Sequence, residues 1–390
     1  MNIEAKRAYL NAVQKRYTNS SKNVKTQILN EFCNVCGHSR KHAIRLLSNK
    51  KPSTFLTFKK PVGAPKSYPQ SVTIRLIEIW KLMNYPCSVN LKQALSLWLP
   101  YDLDTKEEVK AKLILMSEST IERHLRPTKK KRPKGKSTTT PPKVKTQIPL
   151  KLCKDDDRKT IGYFEADTVA HCGNALAGKF AWSLTMTDLH TGWTENRATL
   201  SKESKEIQRA VQNIEENLPF KIIGFSTDNG TEFLNETLQT YLINDQREND
   251  IEVTRGRPYK KNDNAHVEQK NFTHVRGVFG YERIDDENLI ELMNDIYINY
   301  LGPLKNFYTP CLKLKSKERI GSKIRKKYDK PKTPYQRVLE SGALTTKQEE
   351  LLVDKKSRIN PFRLQRELNE KLKIFYRILD NYRPELKRAA

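Results

Sequence analysis

Two periodicities divide this chain. From Lys22 to Phe32, apolar residues Val24, Ile28, Leu29 and Phe32 recur at helical spacing. Cys33-Asn34-Val35-Cys36-Gly37-His38 then reads as a break. Ser39 to Leu47 reads as a second helix whose polar face carries Arg40, Lys41 and Arg45. Helix, glycine-containing turn and basic helix together predict a helix-turn-helix over residues 1–50. Residues 51–70 are rich in Pro, Lys and Ser and read as a linker. Helical spacing returns with Ile74, Ile77, Trp80 and Leu82, and continues with Leu91, Ala94, Leu95 and Trp98. Ser119 and Glu122 have capping-box spacing and predict one more short helix, with Arg123 on it. Residues 71–125 are therefore expected to form a second helical DNA-binding module. An ordinary helical bundle without DNA contact is the competing reading.

The pattern changes over residues 155–300. Alternation predicts strands over 161–169, 180–187, 193–200, 221–227 and 251–254. Helical spacing predicts helices over 202–218, 232–243 and 264–279. The order β-β-β-α-β-α-β-α implies a mixed sheet with helices on its faces. Trp182 and Trp193 are expected in its core. Residues 301–390 open on Leu301-Gly302-Pro303, contain a basic run from Lys313 to Lys332, and end with a helix over 361–379. A small domain and a set of segments lying on DNA are both compatible with that stretch. The expected fold class is thus multidomain, α plus α/β.

Charge sharpens this division. The chain has 390 residues and a net charge of +27. Residues 1–150 hold 30 Lys/Arg against 9 Asp/Glu, residues 151–300 hold 18 against 26, and residues 301–390 hold 24 against 10. Basic arms flank an acidic middle. Arms of this kind grip a polyanion by neutralising phosphates, and acidic side chains between them remain for cations. The tether 126–154 contains Lys129, Lys130, Lys131, Arg132, Lys134 and Lys136, followed by a Ser/Thr/Pro stretch. It is expected to be extended, along a DNA backbone or simply solvated. No run of 18 apolar residues predicts a membrane span. No apolar segment follows Met1 to Arg7, so an intracellular protein with reduced cysteines is expected.

Three acidic residues have the most informative settings. Asp167 lies near the end of the first predicted strand and Asp228 at the end of the fourth. Glu268 lies on the last predicted helix of the region. If those two strands are parallel neighbours, both aspartates emerge at one sheet edge, where a passing helix can add Glu268. Converging oxygen ligands on rigid elements suit two Mg2+ ions, which favour in-line phosphoryl displacement. Asn264 and Asn271 share the helix face of Glu268 and are possible auxiliaries. Glu165 has the parity of Asp167 and is a weaker candidate, whereas Asp188, Glu232 and Asp263 are less well placed. Lys260, Lys261 and Lys270 flank the Glu268 stretch as candidate DNA contacts. Lone carboxylates are usually surface residues, and Asp228-Asn229-Gly230 alone would pass as a turn. The argument rests on their joint placement.

The motifs Glu165-Ala166-Asp167-Thr168-Val169, Ser226-Thr227-Asp228-Asn229-Gly230-Thr231-Glu232-Phe233 and Asn262 to Asn271 resemble the catalytic core of the retroviral-integrase-type superfamily, in particular bacterial insertion-sequence transposases. Thr187 to Trp193 and Lys332 to Arg337 are also similar. The resemblance implies a ribonuclease-H-like fold, with Asp167, Asp228 and Glu268 as a catalytic triad holding two Mg2+ or Mn2+ ions. It implies cleavage at a mobile element's ends to free a 3′-hydroxyl, which then attacks target DNA. Implied partners are double-stranded DNA, as terminal inverted repeats and target, and further copies of the chain in a dimer or larger assembly. The implied setting is the bacterial cytoplasm, at the nucleoid. One departure is the gap of 39 residues between Asp228 and Glu268, which an insertion near residues 244–250 would absorb.

Cys33, Cys36, His38 and His42 invite a zinc reading. They fall within ten positions, without a long loop between ligand pairs, and are better read as straddling a turn. His171-Cys172 is expected in a loop. Two further functions compete with the transposase: a catalytically inert, transposase-derived DNA-binding regulator, and a ribonuclease-H-like nuclease.

Overall fold

The computed structural model describes residues 3–48, 68–128, 159–227, 232–233, 236–243, 251–255 and 265–381. The chain divides into two compact units, Met1–Ser67 and Tyr68–Ala390.

The first unit has three helices, α1 (Ile3–Thr18), α2 (Lys22–Cys36) and α3 (Arg40–Ser48). Each contributes apolar residues three or four apart, the spacing that gathers them on one face. Leu10, Val13, Ile28, Leu29, Phe32, Cys36, Ala43 and Leu47 form the core. The break expected from Cys33 onward is later and shorter. Helix α2 runs through Cys36 and stops at Gly37, which adopts φ 68° and donates its N–H to the Cys33 carbonyl. Only a residue free of a Cβ takes that conformation without cost. Arg40, Lys41 and Arg45 lie exposed on α3.

The second unit opens with α4 (Gln70–Leu82), α5 (Ser88–Trp98), α6 (Glu107–Leu115) and α7 (Glu118–Leu125). The cap of α7 is Ser117, whose hydroxyl accepts from the Thr120 N–H; Ser119 lies inside the helix. These helices share one core with the remainder of the unit. Trp98 donates its indole N–H to the Tyr308 carbonyl at 2.9 Å and packs edge-on against Phe362.

A five-stranded sheet follows: β1 (Tyr163–Ala170), β2 (Trp182–Asp188), β3 (Thr194–Thr199), β4 (Gly224–Thr227) and β5 (Glu252–Arg255), in the order β3-β2-β1-β4-β5. Strand β2 is antiparallel to β1 and β3, while β4 runs parallel to β1 and β5. Helices α8 (Ser204–Asn217) and α9 (Glu236–Leu242) connect the strands, and α8 buries Ile207, Ala210, Val211 and Ile214. This mixed sheet flanked by helices is consistent with a ribonuclease-H-like core. Trp193 is buried; Trp182 is half-buried, with the Lys202 ammonium over its ring.

Helix α10 (Ala265–Lys270) continues as a π-helical turn over Asn271–Arg276 and then α11 (Gly277–Phe279). After it come α12 (Glu287–Asp295), α13 (Gly302–Tyr308), the hairpin β6 (Leu314–Ile320) and β7 (Lys323–Tyr328), then α14 (Pro334–Glu340), α15 (Thr346–Ser357) and α16 (Pro361–Asn381). Phe375 of α16 packs edge-on against Phe279, so the terminal helix belongs to the main core. Two further stretches are fixed by local side-chain hydrogen bonds. Asp188 Oδ2 accepts from the Thr191 N–H and hydroxyl, and Asp188 Oδ1 from the Gly162 N–H, locking the β2–β3 turn. Thr333 and Gln336 form a reciprocal capping box on α14. No helix among the described residues is long and apolar enough to cross a membrane.

Candidate active site

Strand β1 is the floor of the site. Its alternation sends Glu165 and Asp167 to one face, where α10 packs. Glu165 is buried, and its Oε2 accepts from the backbone N–H groups of His266 and Val267, both at 3.0 Å. Both residues lie in the first described turn of α10, where a buried carboxylate satisfies backbone N–H groups and suits the helix dipole. One turn beyond Glu268, the Asn271 side-chain amide donates to Asp167 Oδ2 at 2.7 Å. The helix bearing Glu268 is thus tied to β1 at two points, on either side of Glu268. Glu268 itself is exposed.

The parallel pairing of β1 with β4 sets Ala166 beside Thr227. These are the residues immediately before Asp167 and Asp228. Asp228 lies outside the described residues, as do Asn264, Lys129, Lys130, Lys131, Arg132, Lys134, Lys136, Lys260 and Lys261. Among the described residues, no three His, Cys, Asp or Glu gather as a metal-ligand set. Cys33, Cys36, His38, His42, Asp167 and Glu268 are among those described residues; Asp228 is not. The donor chemistry of Asp167 and Glu268 is all oxygen, which fits a hard divalent cation. The inner amide oxygen of Asn271 is buried without a hydrogen-bond partner among the described residues. The asparagine therefore has a spare acceptor at the site.

The surroundings are structural. On the other side of β1, the Thr168 hydroxyl donates to Glu232 Oε1 at 2.7 Å. Burial raises the Asp188 carboxyl above the usual carboxylate range, against the hydrogen bonds that it accepts. His171 is buried, bonded through Nε2 to Ser183, whose hydroxyl also meets Tyr297. Burial, aided by the Arg276 charge, holds His171 at about 3, so it is a neutral core residue. Lys270 is half-buried, and burial lowers its pKa. Burial and the Lys270 charge bring Lys305 down to about 8. His274 is buried beside both lysines and lies well below its ordinary pKa for the same reasons. Arg123 is exposed on α7.

Sequence reasoning gave Glu165 the correct face but not its cap. It also missed Arg337, which is buried and donates to the Cys311 and Lys332 carbonyls and to Asp329. An arginine directly after a capping glutamine was the available signal.

Sheet order, strand pairing and a helix tethered to β1 define the class: a mixed α/β core consistent with a ribonuclease-H-like fold. No family model matches the chain. It is 32% identical over 339 residues to the uncharacterized protein y4rM of Sinorhizobium fredii, across 84% of this chain and 93% of that protein. The chain belongs to the same family as y4rM. Among solved structures, the catalytic core domain of BIV integrase aligns at 16% identity with a TM-score of 0.28, over 46% of this chain and 95% of that one. The HTLV-2 integrase catalytic core domain, in complex with magnesium, aligns at 17% identity with a TM-score of 0.23, over 28% of this chain. The chain spans 65% of that HTLV-2 core, just under two thirds of its length.

Proposed function

We propose that this protein is a DNA transposase or integrase. It binds the ends of a mobile element, cuts a phosphodiester to free a 3′-hydroxyl, and joins that hydroxyl to target DNA. The observation that carries this reading is the parallel β1–β4 register, with Ala166 beside Thr227, so that the chain positions of both aspartates follow one paired step. Asp167, Asp228 and Glu268 would hold two Mg2+ or Mn2+ ions. Such ions, when bound, supply Lewis-acid stabilisation of the attacking and leaving oxygens. The chain's own residues do the positioning: Asn271 orients Asp167, and Glu165 anchors the start of the helix that delivers Glu268. The exposed Arg40, Lys41 and Arg45 of α3, and Arg123 of α7, are candidate DNA contacts in two helical end-recognition modules. Two ends must be processed together, which calls for a dimer or larger assembly on DNA. In this reading the protein works inside a bacterial cell, at the nucleoid.

The test uses purified full-length protein and labelled duplexes carrying the inverted repeats that flank its gene. Cleavage and strand transfer are expected with Mg2+ or Mn2+, and are expected to vanish in Asp228→Asn and in Glu268→Gln. Full activity in either variant would remove that residue from catalysis. Specific binding without cleavage in any divalent cation would favour the inert regulator, and cutting of RNA–DNA hybrids alone would favour the nuclease.

A further inference from the structure

The β6–β7 hairpin is bare on both faces. Every residue from Leu314 to Tyr328 is exposed except the half-buried Ser316. An isolated two-stranded ribbon in water is marginal and normally needs a covering layer. Here Leu314, Ile320, Ile324 and Tyr328 are each about half exposed. The ribbon also works against itself. Between Leu314 and Tyr328 stand seven Lys/Arg and one Glu. Lys317 faces Lys326 directly across the strands, a like-charge pair that destabilises the ladder, and the one Glu, Glu318, faces Arg325 and offsets only that charge.

The root of the ribbon is firmly built. The Lys313 N–H donates to Asp329 Oδ1 at 2.6 Å, and the Asp329 N–H to the Lys313 carbonyl at 2.9 Å. Arg337 holds the other Asp329 oxygen at 2.9 Å. Cys311 and Lys332 exchange backbone hydrogen bonds below it. The Lys313 ammonium donates to the carbonyls of Leu189 and His190 in the β2–β3 turn. That turn lies beyond Asp188, which pairs with Phe164, three residues before Asp167 on β1. The root is therefore at the opposite end of the sheet from the end towards which β1 and β4 run.

A rooted arm with uncovered faces and unbalanced positive charge has no covering layer among the described residues. A two-stranded β-ribbon fits the major groove of B-DNA, and its cations would displace counterions from the flanking phosphates. We propose that the β6–β7 ribbon inserts in a groove of duplex DNA, with Lys317, Arg319, Arg325 and Lys326 on the phosphates, as a contact separate from the carboxylate site. This rests on the reading that the protein works on DNA, and it adds a binding element to it.

The experiment measures binding of the full chain to a labelled 30-base-pair duplex between 50 and 200 mM KCl. Two variants are compared with the parent: the fourfold Lys317→Ser, Arg319→Ser, Arg325→Ser, Lys326→Ser, and the single Lys326→Glu. The fourfold variant is expected to bind at least about tenfold more weakly, with the salt slope reduced by about 3–4. Lys326→Glu replaces a repulsive pair by an attractive one. It is expected to melt no lower than the parent and still bind DNA more weakly, a split that a merely structural ribbon would not give. Parent-like affinity and salt slope in both variants would overturn the ribbon's role and leave the DNA reading standing. A parent protein that binds no duplex would sink both. Ribbon-dependent binding of structured RNA or an acidic protein in preference to the duplex would overturn the assignment to DNA.

Discussion

The Asn271 side-chain amide donates to Asp167 Oδ2 at 2.7 Å. An ionised carboxylate only accepts, so the NH2 of the asparagine must face it. The bond joins strand and helix one turn from Glu268. Asn271→Ala removes the donor and keeps the helix; Asn271→Asp also adds a repelling charge. Both are expected to raise the Mn2+ concentration needed for half-maximal DNA cutting by about 10–100-fold, the usual effect of losing a ligand's hydrogen-bond partner, with Asp the worse. A metal titration of cutting checks this, and an unchanged midpoint in Asn271→Ala would remove the bond from the mechanism.

Glu165 offers a separate test, because its task is the start of α10. Glu165→Ala leaves the N–H groups of His266 and Val267 without their carboxylate in a buried setting. The expected loss is about 1–3 kcal/mol, read from urea unfolding. Glu165→Gln keeps one acceptor oxygen and should lose less. Equal stability of Ala and wild type would show that the cap contributes nothing.

Much of the core was legible because its strands alternate and its helices repeat at 3.6. Predicted and observed strands agree to within a few residues, and the parity of Glu165 and Asp167 named the face that meets α10. Where the pattern failed, the reasons are local. Cys33-Asn34-Val35-Cys36 contains no helix breaker, so α2 runs on until Gly37 supplies the left-handed stop. Ser117 and Ser119 are both capping residue types two positions apart, and it is Ser117 that caps α7, with Ile121 and Leu125 buried. A π-helical turn keeps an ordinary helical composition, so Asn271–Arg276 carries no warning in sequence. The contact of Trp98 with Phe362 joins residues far apart in the chain, which local periodicity does not encode. Among the carboxylates, motif spacing reaches Asp228, one residue past the end of the described strand β4 at Thr227.

Stability should fall as the solution is acidified below neutrality. Burial, with a smaller effect of Arg276, holds His171 at about 3, against an ordinary 6.5. His274 is shifted the same way by burial, Lys270 and Lys305. Above pH 6.5 both folded and unfolded chains carry these imidazoles neutral. Below it, the unfolded chain takes up protons that the native state refuses, so stability is lost as pH falls from 6.5 towards 3. Each group contributes at most about 1.4 kcal/mol per pH unit. Urea midpoints at pH 7 and pH 5 check the direction, and His171→Asn is expected to flatten the slope. A midpoint that rises on acidification would contradict a neutral buried His171.

Gly162 is the position where a single methyl should reach the site from a distance. Its φ is 101°, and an added Cβ would lie 2.6 Å from the Lys221 carbonyl oxygen and 2.5 Å from Ile223. Its N–H donates to Asp188, and its carbonyl accepts from the N–H groups of Ile223 and Gly224. One residue thus fastens the entry of β1 to the β2–β3 turn and to the start of β4. Gly162→Ala has to push β4 away or twist its own backbone, at a cost of about 2–5 kcal/mol. Any shift of β4 moves Thr227 against Ala166, and with it the step that leads into Asp228. Gly342→Ala is the control: its φ of 63° is also left-handed, but nothing lies within 4 Å of the added methyl. It should cost only about 1–2 kcal/mol and leave DNA cutting intact. The expected result, at a temperature where both variants remain folded by circular dichroism, is a loss of metal-dependent cutting in Gly162→Ala alone. Equal activity in the two variants would mean that the β1–β4 register is not what aligns the carboxylates.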